Sequence, residues 1–179
     1  MLHAAFFRNM NLGQARSLSP TRAVLEEAFR SAGARQVRSF QTNGTVAFDP
    51  VDRTPADVVA HARARLHTAT GYTDIAPHQP LTELAVLVEH TRAALEVVDR
   101  AVYATFFDPA ARADWAAPEA VLDRLGTSVL ASGPGWVVTM VAPGGDPTTA
   151  VQAKLGQRAT TRGFGTVERL LRAVGADRG

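Results

Sequence analysis

A stretch near the C-terminal end of the sequence combines side chains that suit anion binding. Residues 159–166 contain Thr160, Thr161 and Arg162 and two glycines, and an amphipathic run over residues 167–174 follows. A guanidinium presents a rigid fork of donors for phosphate or carboxylate, and N–H groups at a helix start add the positive end of its dipole. Glycines allow a close approach to the backbone or a positive φ. We interpret this stretch as a loop that forms half of an anion site.

The other half is predicted near the N-terminus. Arg8 and Asn11 lie in and after an apolar run, and Asn43 belongs to a hairpin signal. The alternative is structural: the arginines pair with acidic residues, Thr166 caps the helix and the glycines shape a turn. Our hypothesis is that these loops converge on one surface whose ligand-binding residues are Arg8, Asn11, Asn43, Thr160, Thr161 and Arg162.

The sequence names no catalytic residue, and we expect no metal and no cofactor. His61 and His67 are six residues apart, so they do not share a helix face as metal ligands do. Gly144-Gly145 lacks the lysine and hydroxyl residue of a P-loop, and no dinucleotide-binding or nucleophile-elbow motif is present. The chain has no cysteine, which excludes disulfides, cysteine-ligated metals and a cysteine nucleophile.

Charge is distributed unevenly along the 179 residues, although the formal net charge is only +2. Residues 1–40 and 147–179 each carry a net charge of +4, whereas residues 41–146 carry −6. Basic ends suit nucleic-acid binding, but a general preference for arginine explains the same pattern. Aromatic residues in the predicted strands would stack on bases, yet at 7% of the chain most are needed for the core.

The apolar runs of the sequence are short. None approaches the ~20 residues of a membrane helix, and the first seven residues lack the charged and long apolar regions of a signal peptide. We therefore expect a cytoplasmic protein without membrane association, and leave its oligomeric state open.

Residues 1–79 predict the order β-α-β-β-α-β, which is the ferredoxin-like order. Ser19 and Pro20 are the expected N-cap and first residue of helix one. Asn43-Gly44 predicts a type I′ turn with positive φ at both residues, and Pro77 places the last strand at an edge. The predicted strands are 3–8, 36–41, 45–48 and 72–78, and the helices are about 20–32 and from Thr54-Pro55 to Gly71.

Residues 80–179 predict the same order without a clear closing strand. Residues 81–89 suggest a buried helix beginning at Thr82, with a strand as the alternative, and residues 91–98 continue as a turn or helix. Further elements are a strand at 101–107, a short helix from Pro118 to Leu125, hairpin strands at 128–131 and 136–142, and a helix at 149–156.

The predicted fold class is α+β, with two ferredoxin-like (βαββαβ-type) units, antiparallel sheets and helices on one face of each. The first unit comprises residues 1–79. The second comprises residues 80–179 with C-terminal helices, in one compact two-lobed chain.

Three stretches carry the motifs of one known family. Residues 6–13 are similar to an apolar strand running into Arg-Gly-Ile-Asn-Val-Gly, with Asn9 in place of the first glycine. Residues 43–48 are similar to the hairpin Ser-Gly-Asn-Val-Val-Phe. Residues 160–166 are similar to Thr-Thr-Arg-Asn-Trp-Asn-Thr, with Gly163 and Gly165 replacing the asparagines and Phe164 replacing the tryptophan. In order and spacing, the chain resembles a divergent member of the bacterial domain of unknown function 1697 family over nearly its whole length.

The resemblance implies a fold of two ferredoxin-like units. It carries over no catalytic residue, because the family has no established activity. The leading functional hypothesis is a binding module for a small anionic ligand, and the alternatives are a nucleic-acid-binding protein and an uncharacterised enzyme.

Overall fold

A computed structural model describes residues 1–14, 17–95, 100–117 and 120–176. The chain divides into two compact units, Met1–Leu81 (unit 1) and Thr82–Gly179 (unit 2). Each unit has a four-stranded antiparallel sheet with helices, so the protein is α+β, as predicted. Among the described residues, no helix combines the length and the apolar character needed to span a membrane.

Unit 1 has the ferredoxin-like fold. Its elements are β1 (His3–Phe6), α1 (Arg22–Ser31), β2 (Arg35–Phe40), β3 (Thr45–Asp49), α2 (Pro55–Thr70) and β4 (His78–Pro80). The strands lie in the order β2-β3-β1-β4, which confirms the predicted topology and places β4 at an edge.

The core of unit 1 lies between one face of its sheet and the two helices. Ala5 is paired with Val46, and strand alternation puts Phe48 on the same face. Phe29 of α1 packs there, with its ring centroid 5.0 Å from that of Phe48, and Leu66 of α2 completes the cluster. The spacing of apolar residues in both helices predicted this buried face.

Three local predictions in unit 1 were wrong in detail. Thr21 rather than Ser19 caps α1, accepting from the Val24 amide at 3.3 Å, and the Ser19 hydroxyl accepts from the Asn11 amide. The β2–β3 connection has four residues, 41–44, with positive φ at its two ends rather than at a two-residue turn. β4 begins after Pro77, although the carbonyls of Ile75 and Pro77 already accept hydrogen bonds from the N-terminal strand segment.

Unit 2 repeats the same topology with additional helices. Its elements are α3 (Leu81–Ala94, which begins at the last residue of unit 1), β5 (Ala101–Phe106), α4 (Ala120–Arg124), β6 (Thr127–Gly133), β7 (Trp136–Val141), α5 (Pro147–Leu155), β8 (Thr160–Gly163) and α6 (Phe164–Ala176). The strand order is β6-β7-β5-β8.

The closing strand of unit 2 is β8, which the sequence interpretation missed. β8 pairs antiparallel with β5, with Arg162 opposite Ala104 and Thr160 opposite Phe106. Its residues are polar or lack a side chain, so they show no apolar alternation, although threonine is a good strand former. The expected loop at 159–166 is therefore a strand followed directly by a helix.

Other predictions for unit 2 hold with shifted ends. Residues 81–89 belong to a helix rather than a strand, and α5 begins at Pro147 behind the Asp146 cap. The β6–β7 connection is the two residues Pro134 and Gly135, because Gly133 pairs with Trp136. Residues 96–98 of the predicted 91–98 segment and Pro118 of the predicted short helix lie outside the described residues.

Candidate functional site

The predicted ligand residues of unit 2 lie in β8, where successive side chains point to opposite faces of the sheet. Arg162 Nη1 donates to Thr160 Oγ1 at 3.0 Å and to the Thr161 backbone oxygen at 2.8 Å. The Thr161 side chain points to the other face. Its hydroxyl lies 2.9 Å from Thr105 Oγ1 and accepts from Thr148 Oγ1 at 2.8 Å. Thr160 and Arg162 therefore form one group, and Thr161 belongs to a separate chain of hydroxyls.

The Arg162 guanidinium is largely shielded from water. The residue is 8% exposed, and its neighbour Thr160 is 3% exposed. Burying a charge is costly unless polar groups compensate it, and the oxygens of Thr160 and Thr161 contribute to that compensation. The result is a fixed cation near the end of β8.

Helix α6 begins at Phe164, two residues after Arg162. Thr166 therefore lies inside the first turn and does not cap the helix. The N–H groups of a first turn have no partner within the helix and carry the positive end of its dipole. This turn, all of it described, contains no acidic residue. Gly163 occupies the N-cap position, where it has no side chain to accept from those N–H groups.

The glycines of this stretch leave space rather than form a turn. Neither Gly163 nor Gly165 has a positive φ. A Cβ at Gly163 would meet Thr166 Oγ1 at 3.9 Å and nothing nearer, and one at Gly165 would meet Arg169 Nη1 at 3.4 Å. A ligand atom can therefore approach the backbone at the start of α6.

The sequence analysis missed Arg169. This exposed residue donates from Nη2 to Thr166 Oγ1 at 3.2 Å. The sequence did contain a signal for it: Thr166 and Arg169 are three residues apart, a spacing that places both on one helix face. Arg169 therefore places a guanidinium on the first turns of α6, whereas Arg162 Nη1 is held along β8 by Thr160 and Thr161.

In unit 1, Arg8 is held by a carboxylate. Its Nη1 donates to Asp74 Oδ2 at 2.8 Å, and Asn9 Nδ2 donates to the same oxygen at 3.0 Å. The Tyr72 hydroxyl donates to the Arg8 carbonyl at 2.6 Å. Asn9 has a φ of 53°, which glycine adopts freely and asparagine tolerates. This explains how asparagine replaces the first glycine of the N-terminal motif.

The N-terminal loop and the hairpin loop of unit 1 lie against each other. The Leu12 amide donates to the Thr42 carbonyl at 2.7 Å, and the Phe7 amide donates to the Gly44 carbonyl at 2.9 Å. A Cβ at Gly44 would lie 2.7 Å from Met10 Cβ, closer than real Cβ atoms come. Gly44 is needed both for its positive φ and for this packing.

This packing brings the segments of the predicted unit 1 residues together. The Asn11 amide donates to Ser19 Oγ at 2.9 Å, and Asn43 Oδ1 accepts from Thr45 Oγ1 at 2.8 Å. Both bonds fix the loop conformations. Because the arginine-bearing groups belong to different units, their convergence on one surface stays a prediction.

Three titratable groups outside both groups of residues have clearly shifted pKa values. Burial, and then the neighbouring His78, lower the pKa of His3 to about 4. Burial raises the pKa of Glu26, but hydrogen bonds from Ser39 and Arg30 outweigh it and lower the pKa overall. Hydrogen bonds from Thr149 lower the pKa of Asp146, the α5 cap. The described part of the chain contains no cluster of three metal-ligating side chains.

Most aromatic residues considered for base stacking lie in the core. Phe40 and Tyr103 are half-buried. A stacking platform needs exposed rings. The fully or almost fully buried rings are Phe6, Phe7, Phe48, Phe106 and Phe107.

Comparisons with known proteins agree with the family resemblance. The model of a family described as "Protein of unknown function (DUF1697)" matches residues 1–125, which include the N-terminal and hairpin motifs but not residues 160–166. No curated protein matches. The structure of the conserved bacterial protein SP0830 from Streptococcus pneumoniae is similar, with a TM-score of 0.62 and 12% sequence identity over 97% of this chain and 98% of that chain. At this identity the similarity shows the fold alone.

Proposed function

This chain belongs to the DUF1697 family of proteins of unknown function, and we propose that it is a binding module for a small anionic ligand bearing a phosphate or carboxylate group. The observation that carries the proposal is the start of α6, where Arg169 contacts a first turn without an acidic residue and Arg162 precedes the helix by two residues. An anion there would accept from backbone N–H groups and from a guanidinium.

The side-chain caps of three other helices support this choice. Thr21, Thr54 and Asp146 each accept from an amide in the first turn of α1, α2 and α5. At α6 the equivalent position is Gly163, which has no side-chain acceptor. The motif of the family has asparagine at this position, a residue that caps helices well. With glycine at this position, no N-cap side chain competes with an external acceptor for the first-turn amides.

Thr160 contributes to the proposed site by orienting Arg162, and Thr161 contributes its backbone oxygen. Arg8, Asn11 and Asn43 remain proposed ligand residues of unit 1. Their contribution is expected to be smaller, because Asp74 already balances the charge of Arg8 and the loop asparagines make local hydrogen bonds.

Isothermal titration of the full chain with sodium phosphate, and separately with sodium citrate, tests the proposal. We expect Arg169→Gln to weaken binding about threefold, the size of a partly exposed charge interaction. Arg172→Gln is the matched control, because Arg172 is also exposed on α6 but lies further from its start. Equal weakening by both variants would show that phosphate binds through general surface charge, and would refute the site.

Nucleic-acid binding is the second candidate, favoured by the basic segments at both ends of the sequence. It predicts affinity for a single-stranded oligonucleotide that falls steeply with salt and tolerates any single arginine loss. A small-anion site predicts dependence on Arg162 and Arg169 instead. An enzymatic function would need, in addition, product formation from a bound anion, which a substrate screen by NMR would detect.

We place this module in the cytoplasm, a proposal supported by the cysteine-free sequence. Fractionation of cells that express the chain tests it, and recovery with membranes or in a secreted fraction would contradict it.

A further inference from the structure

A cavity of about 430 Å³ opens in unit 2 between the β6–β7 hairpin and the segment that follows β5. Trp115 and Arg112 line it on one side, and the hairpin residues Gly133 and Pro134 line it on the other. Its size falls in the range of small-molecule sites, about 300–1,000 Å³. None of the residues of the proposed anion site lines it.

The indole of Trp115 is held in place at this cavity. Its ring centroid lies 5.8 Å from that of Phe107, at an interplanar angle of 41°. The Lys154 ammonium lies 5.7 Å from the same indole and donates to the Ala117 carbonyl at 3.3 Å. Trp115 nevertheless remains partly exposed, so the indole offers a pre-oriented surface for stacking.

Apart from Trp115, Phe107 and Arg112, the residues that line the cavity have small or rigid side chains. Pro109 and Pro134 contribute rigid aliphatic rings. Gly133 has no side chain because a Cβ there would lie 2.4 Å from the indole of Trp136. A cavity lined by an indole, a phenyl ring, two prolines and two glycines suits a planar ring better than a bulky aliphatic group.

Arg112 is the charged side chain among the described residues that line the cavity. Arg112 is exposed, and its Nη1 donates to the Pro109 carbonyl at 2.7 Å, which fixes its stem at the edge. The two nearest acids in sequence have local bonds: Asp108 accepts from the Ala110 amide, and Asp114 accepts from backbone amides just after Trp115. Among the described residues, no carboxylate lines the cavity.

We propose that this cavity binds a planar aromatic molecule that carries an anionic group. The aromatic ring stacks on Trp115, and the anionic group pairs with Arg112 at the rim. The site is independent of the anion site at the start of α6, and rests on different residues.

The test uses the full chain and three matched probes: 2-naphthoate, neutral 2-naphthamide and non-aromatic cyclohexanecarboxylate. We expect 2-naphthoate to bind about threefold to fivefold more tightly than 2-naphthamide, because a rim charge pair is worth up to roughly 1 kcal/mol. Cyclohexanecarboxylate should bind more weakly than 2-naphthoate because it cannot stack. Equal affinity for all three probes would overturn the proposal.

Variants then locate the site. Arg112→Gln should lower 2-naphthoate affinity to that of 2-naphthamide and leave 2-naphthamide unchanged, whereas Arg124→Gln, an exposed arginine on α4, should change neither. Trp115→Leu should weaken both aromatic probes by about tenfold, the upper range for an aromatic contact. If Trp115→Leu fails to fold, Arg112→Gln decides the outcome. Undiminished naphthoate binding in Arg112→Gln, or its loss in Arg169→Gln, would refute this cavity as the site.

Discussion

The two ferredoxin-like units share one strand order but enclose their cores differently. In unit 1, Phe29 contacts Phe7 and Phe48, with ring centroids 5.9 and 5.0 Å apart, and all three rings are fully buried. In unit 2, Phe107 contacts the partly exposed Trp115, and both line a cavity of about 430 Å³. The aromatic cluster of unit 1 is closed, whereas that of unit 2 reaches a cavity.

The difference comes from the helix between the first two strands of each unit. α1 has ten residues and buries Leu25, Ala28 and Phe29 against the sheet. The corresponding α4 has five residues and buries Leu122. A shorter helix covers less of the sheet, so the irregular segment that contains Trp115 supplies part of the cover. One topology therefore supports both a fully buried aromatic cluster and one that reaches a cavity.

The largest expected effect tests this contrast in the cores. Phe29→Ala should lower the free energy of unfolding by about 4–5 kcal/mol, because the closed core of unit 1 leaves a cavity. Phe107→Ala should cost about 3 kcal/mol, the lower end for this substitution, because the void joins an existing cavity that water can enter. Hydrogen exchange, read separately on core amides of each unit, measures both losses. Equal losses would remove the distinction between the cores.

A smaller effect, specific to unit 1, concerns His3. Its pKa is about 4 in the folded chain, against 6.5 for an ordinary histidine. Between these values the unfolded chain binds the additional proton, so stability falls as the pH decreases from about 6.5 to about 4 and loses nothing further from this group below that. His78, Asp49 and the N-terminal amine are the charged or titratable neighbours that modulate it.

Urea unfolding of unit 1 at pH 7 and at about pH 4.5 measures this contribution. The wild-type chain should lose about 2 kcal/mol more than His3→Gln over this interval. His67→Gln, which removes an exposed histidine from α2, should behave like the wild type. A wild-type pH dependence that His3→Gln leaves intact would assign the effect to other groups.

The smallest effect, in unit 2, concerns the start of α6. Gly163→Asn restores the residue of the family motif, and the space beside Gly163 admits it. As an N-cap, asparagine should stabilise α6 by only a few tenths of a kcal/mol over glycine. Phosphate titration should nevertheless show weaker binding, because the new side chain competes for the first-turn amides. Unchanged or tighter phosphate binding would place the anion elsewhere.

Local patterns predicted most of the secondary structure. Helix α2 begins and ends as predicted. The Thr54 hydroxyl accepts from an amide of the first turn, Pro55 is the first helical residue, and Gly71 ends the helix in the left-handed region. The strand β8 escaped prediction because its side chains carry no apolar alternation, and pairing with β5 stabilises it. Asn43-Gly44 correctly predicted a hairpin but not the conformation of its turn. Gly44 packs against Met10, a contact that the two residues alone do not encode.

The candidate sites also combine features that the sequence predicts with features that depend on the tertiary structure. The chemistry of arginine identified Arg8 and Arg162 as candidates. It did not predict that Arg8 pairs with Asp74, which lies 66 residues further along the chain. The spacing of Thr166 and Arg169 was visible in the sequence, yet it gained meaning only when α6 was seen to begin at Phe164. The cavity at Trp115 has no sequence motif, because residues from two distant segments form it.

The order of helices and strands, the buried helix faces and the family follow from the sequence, because caps, periodicity and short motifs act between neighbouring residues. The tertiary structure decided the closing strand of unit 2, the ion pair of Arg8 and the cavity beside Trp115. Each of these depends on residues far apart in the chain, whose proximity no local pattern encodes.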